Sequence, residues 1–180
     1  AVNSAQIYDP SANTWSAAAN VGTGRYAHTA TLLGNGKVIV AGGFNNDDSY
    51  LRSSELYDPV SNTWMTAVAM AHKRYLHAAT LLPNGKVFVV AGNDGSFFSA
   101  PHTAFYDPAT NLWSAGPIMA FSSRQEHTVT SLPNGHVLIV GGNTAATSVL
   151  LYDPVANTIS TAASITAGRY RHSATLLGNG

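Results

Sequence analysis

Tyr57-Asp58-Pro59-Val60-Ser61-Asn62-Thr63-Trp64 decides the fold, because the chain repeats the pattern of this stretch four times. Tyr-Asp-Pro recurs at Tyr8-Asp9-Pro10, Tyr106-Asp107-Pro108 and Tyr152-Asp153-Pro154, with spacings of 49, 49 and 46 residues. Seven residues after each tyrosine stand Trp15, Trp64, Trp113 and, where the pattern lapses, Ile159. Arg25, Arg74, Arg124 and Arg169 come next, each three residues ahead of His28, His77, His127 and His172. An Asn-Gly pair follows at Asn35-Gly36, Asn84-Gly85, Asn134-Gly135 and Asn179-Gly180. An apolar run then closes on Gly42-Gly43, Ala91-Gly92 and Gly141-Gly142. Landmarks recurring in fixed order at this period mark an array of similar structural units.

Each unit reads as four short strands. Residues 28–33 alternate in polarity and lead through Asn-Gly, a strong hairpin signal, into the β-branched run 37–41. These are strands a and b; strand c covers 54–57 and strand d begins near Thr63-Trp64. Between c and d, Asp58 can bond its own turn backbone, Pro59 presets φ and Asn62 tolerates the left-handed conformation. No segment carries helical periodicity over ten or more residues, so the fold class is all-β. A four-stranded sheet of this size cannot bury both faces alone. It must stack on copies of itself about an axis, as a propeller blade does.

The order apolar run, Gly-Gly, Tyr, Trp, Arg-x-x-His resembles the kelch repeat. The forms Tyr-Asp-Pro-x-x-Asn-x-Trp and Leu82-Pro83-Asn84-Gly85-Lys86-Val87 are similar to kelch propellers of secreted bacterial proteins and of the galactose-oxidase type. The resemblance covers nearly the whole chain. It implies a kelch-type β-propeller with four-stranded antiparallel blades, about 3.7 repeats being present. Strands c and d of a partial blade fall in 1–16, blades in 27–67, 76–115 and 126–161, and the start of the next in 171–180. Fifteen strands follow, the last at 171–177. Because kelch propellers usually close with more blades, the resemblance implies a segment of something longer or part of an assembly. The alternative is a four-blade ring, in which one further strand b after Gly180 would join the last strand a to the initial c and d.

Composition narrows the task. Nine Lys+Arg balance nine Asp+Glu among 180 residues, and only 10% of residues are charged. That leaves no basic footprint for nucleic acid or an anionic membrane. No apolar run approaches the roughly 20 residues of a membrane helix, and residues 1–20 lack a signal-peptide pattern. With no cysteine, the chain has no thiolate metal ligand, no cysteine nucleophile and no match to the cysteine-tyrosine centre of galactose-oxidase-like enzymes. Gly-x-Ser-x-Gly, His-Glu-x-x-His and phosphate-loop motifs are also missing, so no catalytic residue, metal site or cofactor is expected. Asn45-Asn46-Asp47-Asp48 gathers hard oxygen atoms, but without the spacing of a calcium loop. Glu126-His127 beside Arg124 is a lone candidate base without a second carboxylate.

Strand alternation places the d–a and b–c loops on one rim and the a–b and c–d turns on the other. The second rim repeats almost unchanged, whereas the b–c loops vary, as binding surfaces on rigid scaffolds do. Phe44, Tyr50, Phe97 and Phe98 lie in those variable loops and are candidate anchors for a protein or glycan. Arg25, Arg74, Arg124 and Arg169 enter strand a on the same rim and are expected around the channel mouth, where they would hold an anion or bond carbonyls of a neighbouring blade. The repeat histidines are read as inter-blade hydrogen-bonding groups, and the repeat tryptophans and tyrosines as core, each ring packing where Gly-Gly leaves room. The functional expectation is a binding or scaffold module recognising a protein or glycan, extracellular or at a cell surface. The alternatives are the propeller part of an extracellular oxidase or carbohydrate-active enzyme, and a structural component of a surface assembly that joins further blades.

Overall fold

A computed structural model describes residues 1–47, 49–96, 101–119 and 124–179. Among these residues it contains fourteen strands and no helix. A two-stranded sheet comes first, β1 (Ala5–Asp9) and β2 (Thr14–Ala18). Three four-stranded antiparallel meanders follow. They are β3 (Thr29–Leu32), β4 (Val38–Ala41), β5 (Ser54–Asp58) and β6 (Thr63–Ala67); β7 (Ala78–Leu81), β8 (Val87–Val90), β9 (Thr103–Asp107) and β10 (Leu112–Ala115); and β11 (Thr128–Ser131), β12 (Val137–Val140), β13 (Val149–Asp153) and β14 (Thr158–Ala162). Registers repeat: Tyr57 pairs with Val38 and Trp64, and Tyr106 with Val87 and Trp113.

The repeated Tyr-Asp-Pro-x-x-Asn is a self-contained turn device. Asn13, Asn62, Asn111 and Asn157 all take positive φ, between 52° and 56°. Each asparagine Oδ1 accepts from the hydroxyl of the tyrosine five residues earlier, at 2.9 Å for Tyr57–Asn62 and Tyr106–Asn111. The aspartate accepts turn N–H groups, as Asp58 does from Val60 at 2.9 Å. The a–b turn is built differently from a two-residue Asn-Gly hairpin. Leu33 and Lys37 close a three-residue loop in which Gly36 takes φ 83°, the pattern of a type I turn followed by a bulge. The a–b and c–d turns meet on one rim through Lys37–Asp58 and Lys86–Asp107 pairs, both at 3.1 Å.

Sheets face one another across apolar layers, with β3, β7 and β11 as neighbouring innermost strands. One layer joins Ile39, Leu56 and Met70 to Val87, Val89 and Tyr106; the next joins Phe88, Val90 and Met119 to Val137, Ile139 and Tyr152. Backbone bonds lock the boundaries. Gly43, Gly92 and Gly142 donate to the carbonyls of Arg74, Arg124 and Arg169 of the following blade at 2.8–2.9 Å. The glycine pair therefore makes room for main chain and histidines, not for a tryptophan ring: a Cβ on Gly42 would stand 2.5 Å from the Arg74 carbonyl oxygen and 2.8 Å from the His77 ring of the next blade, and one on Gly43 2.8 Å from the Tyr26 carbonyl oxygen and 3.0 Å from His28 of its own.

Two expectations need correction. Trp15 is 66% and Tyr8 43% exposed, because no described sheet covers that face of β1–β2, whereas Tyr106 and Tyr152 are buried by the preceding blade. Residues 171–179 form no strand: Arg171 and His172 bond to Glu126 and Thr128, but no described strand pairs with this segment, so the expected strand at 171–177 is not seen among the described residues.

Candidate functional site

The repeat arginines turn into the blade. Arg25 Nη1 donates to the carbonyls of Gly42 and Ser53 at 2.8 and 3.1 Å; Arg74 does so to Ala91 and His102, and Arg124 to Gly141 and Ser148, at the same two distances. Each guanidinium thus ties the two ends of the b–c loop in its own blade. All three are buried, while Arg169 is exposed. Hydrogen bonds to the neighbouring blade come from the main-chain carbonyls of Arg74, Arg124 and Arg169. Arg25 gains more: its Nη2 lies 2.7 Å from Glu55, whose carboxylate also accepts the N–H groups of Gly22 and Thr23 at 2.7 and 3.0 Å. Glu55 stands two residues before Tyr57, and its role was not foreseen because the other units carry Gln6, Ala104 and Leu150 there.

Other residues gather where the chain enters the innermost strands. Ala27, Leu76, Glu126 and Arg171, each two positions after a repeat arginine, all have φ between 51° and 61°. Their main chains form a relay in which Leu76 donates to Ala27, Glu126 to Leu76 and Arg171 to Glu126 at 2.9–3.0 Å. With the histidines that follow them, they line a recess of about 290 Å³. An L-residue held in the left-handed region is strained and persists only where the surroundings over-determine it. Here the inter-blade relay does so. The side chains at these positions differ, and two of them join: Arg171 Nε donates to Glu126 Oε1 at 2.6 Å. The alternation of one small, one apolar and two charged residues at equivalent sites was the available sequence signal.

The aromatic candidates divide. Phe97 and Phe98 lie outside the described residues. Phe44 and Tyr50 meet on the d–a/b–c rim, ring centroids 4.9 Å apart and nearly perpendicular, and both reach Tyr75, at 5.6 and 5.2 Å. Tyr26 adds a fourth ring 5.5 Å from Phe44 and is 48% exposed. Backbone bridges Tyr26–Phe44 and Phe44–Tyr50 hold the linker and the loop together. Tyr26 and Tyr75 occupy one repeat position, directly after the arginine, and so share one rim site on adjacent blades.

The KLHDC2/KLHL20/DRC7 Kelch-repeats domain model matches residues 1–180. The chain belongs to the kelch-repeat family. No curated protein matches it in sequence. Kelch-repeat domains generally mediate protein interaction or scaffolding, and typically bind proteins.

The kelch histidines join blades. His77 Nε2 lies 2.9 Å from Thr29 Oγ1, and His172 Nε2 lies 3.1 Å from Thr128 Oγ1, each across a boundary. Burial, with Arg74 next in weight, drives the pKa of His77 well below that of a free imidazole. Burial, with Arg124 and His172 nearby, takes His127 down to about 3. Both rings are therefore neutral at pH 7. In the Asn45 loop, Asn45 Oδ1 accepts from the N–H groups of Asp47 and Ser49 at 3.2 and 3.0 Å, which is turn chemistry; Asp48 lies outside the described residues.

Proposed function

We propose that this kelch domain is a protein-docking module that receives its partner on the rim where Tyr26, Phe44, Tyr50 and Tyr75 gather. The observation that carries the reading is that aromatic cluster, assembled from two d–a linkers and one b–c loop and partly open to solvent. Rigid aromatics on a preformed scaffold give large contact area at small entropic cost, the property of binding anchors. The rings pack edge-on and tilted against one another, which favours a protein partner over a sugar needing a free flat face. The adjoining Ala27, Leu76, Glu126 and Arg171 would adjust specificity, since the backbone there is constant and the side chains are not. An extracellular or surface setting belongs to the same proposal and rests on the charge-poor composition.

A photo-crosslinking amino acid at Tyr26 tests it, with one at Val60, on the opposite rim and 96% exposed, as the control. Discrete protein adducts from position 26, weakened by Phe44→Ala, support the reading. Equal adducts from both rims, or glycan-array binding that Phe44→Ala abolishes, would count against it.

A further inference from the structure

The repeat supplies its own comparison. In the blade of Arg25, the guanidinium meets a carboxylate, Glu55, and Nε donates to the Thr23 carbonyl at 3.3 Å. One blade on, Arg74 is just as buried, yet its position-equivalent partners differ. Ala104 stands where Glu55 stands, and His102 replaces Ser53, whose hydroxyl also accepts from Arg25. Arg74 Nη1 keeps its two carbonyls, while the buried Nε has no acceptor among the described residues. Burial draws the Arg74 pKa down to about 10, and the negative charge of Asp94, which pulls the other way, does not offset it.

Further donors stand around it, those of the exposed linker and one buried indole. Gly22 and Thr23, which present N–H groups to Glu55, correspond to Ala71 and His72, whose N–H groups meet no described acceptor. Trp64 donates its indole N–H to the Ala19 carbonyl at 2.8 Å, but Trp113 Nε1 is buried without a partner among the described residues. Ala71, His72, Arg74, Ala104 and Trp113 all line one cavity of about 460 Å³ between the β6–β7 linker and strands β9 and β10. Ala, Trp and Ile118 make most of its wall apolar.

We propose that this cavity binds an external carboxylate with an apolar body, its charge received by Arg74 and the Ala71 and His72 N–H groups and its body resting against Trp113. The choice of carboxylate over other anions comes from the chain itself, because a carboxylate fills the matching place in the preceding blade. A Cβ on Gly22 would lie 2.8 Å from Glu55 Oε2, so the Ala71 methyl sets a bound carboxylate further toward the cavity mouth than Glu55 sits in the preceding blade. None of the four rim aromatics lines this cavity, so either reading can fail without the other.

Amide-resolved NMR titration of the whole chain tests it, with phenylacetate, the uncharged phenylacetamide and an end-blocked Ala-Glu-Ala peptide. Phenylacetate or the peptide is expected to shift the Trp113 indole and the Ala71 and His72 amides, with phenylacetamide at least tenfold weaker. Whichever acid binds more tightly shows whether the natural source is a free acid or a protein side chain. The double substitution Ala71→Gly with Ala104→Glu rebuilds the arrangement of the preceding blade and should abolish the response while keeping the fold. Equal binding of acid and amide, no shift with either acid, or an unchanged response in a folded double variant overturns the proposal. Should the double variant not fold, the acid-against-amide comparison in the unaltered chain decides alone.

Discussion

Thr29 Oγ1 and His77 Nε2, 2.9 Å apart, pin one blade to the next, and the following boundary breaks the rule. There the threonine position is Ala78, and both ring nitrogens of His127 are buried without a described partner. Ala78→Thr should restore the hydroxyl and stabilise the chain by about 1 kcal/mol, the net worth of a buried hydrogen bond. An unchanged or lower urea midpoint would show that the hydroxyl does not reach the ring.

Acid should weaken the fold through His77 and His127. Burial is the main cause of both lowered values, so each ring takes a proton more readily when the chain is unfolded. Their contribution is complete above pH about 6.5 and is lost as the pH falls, at up to about 1.4 kcal/mol per pH unit per histidine. For His127 the window runs down to about 3. Urea midpoints at pH 7.5 and pH 5 should differ clearly, and His127→Gln should shrink the difference. Identical midpoints would mean that neither ring is held neutral.

The turn device can be dissected at Tyr106 and Asn111. Tyr106→Phe removes a 2.9 Å bond from a fully buried ring and should cost about 1 kcal/mol. Asn111→Ala loses the same bond and also forces alanine into φ 56°, so its cost should be larger, about 2 kcal/mol. Denaturant unfolding orders the two, and the opposite order would show that left-handed strain is not the deciding element.

Gly42→Ala meets a different obstacle. At φ 63° its new methyl would press on the Arg74 carbonyl and the His77 ring, both held by other bonds. A cost of about 3 kcal/mol or more is expected, against near-neutrality for Gly34→Ala, where no atom lies within 4 Å. Thermal melts of the two variants provide the comparison.

Strand positions, turn positions and sheet order were legible because they depend on local chemistry: the alternation of 28–33, the β-branched run 37–41 and the Asp-Pro-x-x-Asn turn specify their conformations from neighbours in sequence. Phe44 and Tyr50 could be picked out as loop aromatics outside the repeat, yet nothing in their own loop announces Tyr26 and Tyr75, which come from two linkers. Glu55 went unnoticed for the same reason. Its partners lie 30 to 33 residues away in sequence and only the packing of a linker against β5 brings them together.

The order of residues alone determined that this chain makes kelch meanders, since periodicity and turn chemistry act over a few residues and need no knowledge of the rest. Tertiary structure alone decided what each repeated residue does. Whether an arginine faces a channel or its own loop, and whether it finds a carboxylate, depends on groups supplied by strands distant in sequence. A buried charge is governed by whichever of those groups comes within hydrogen-bond reach.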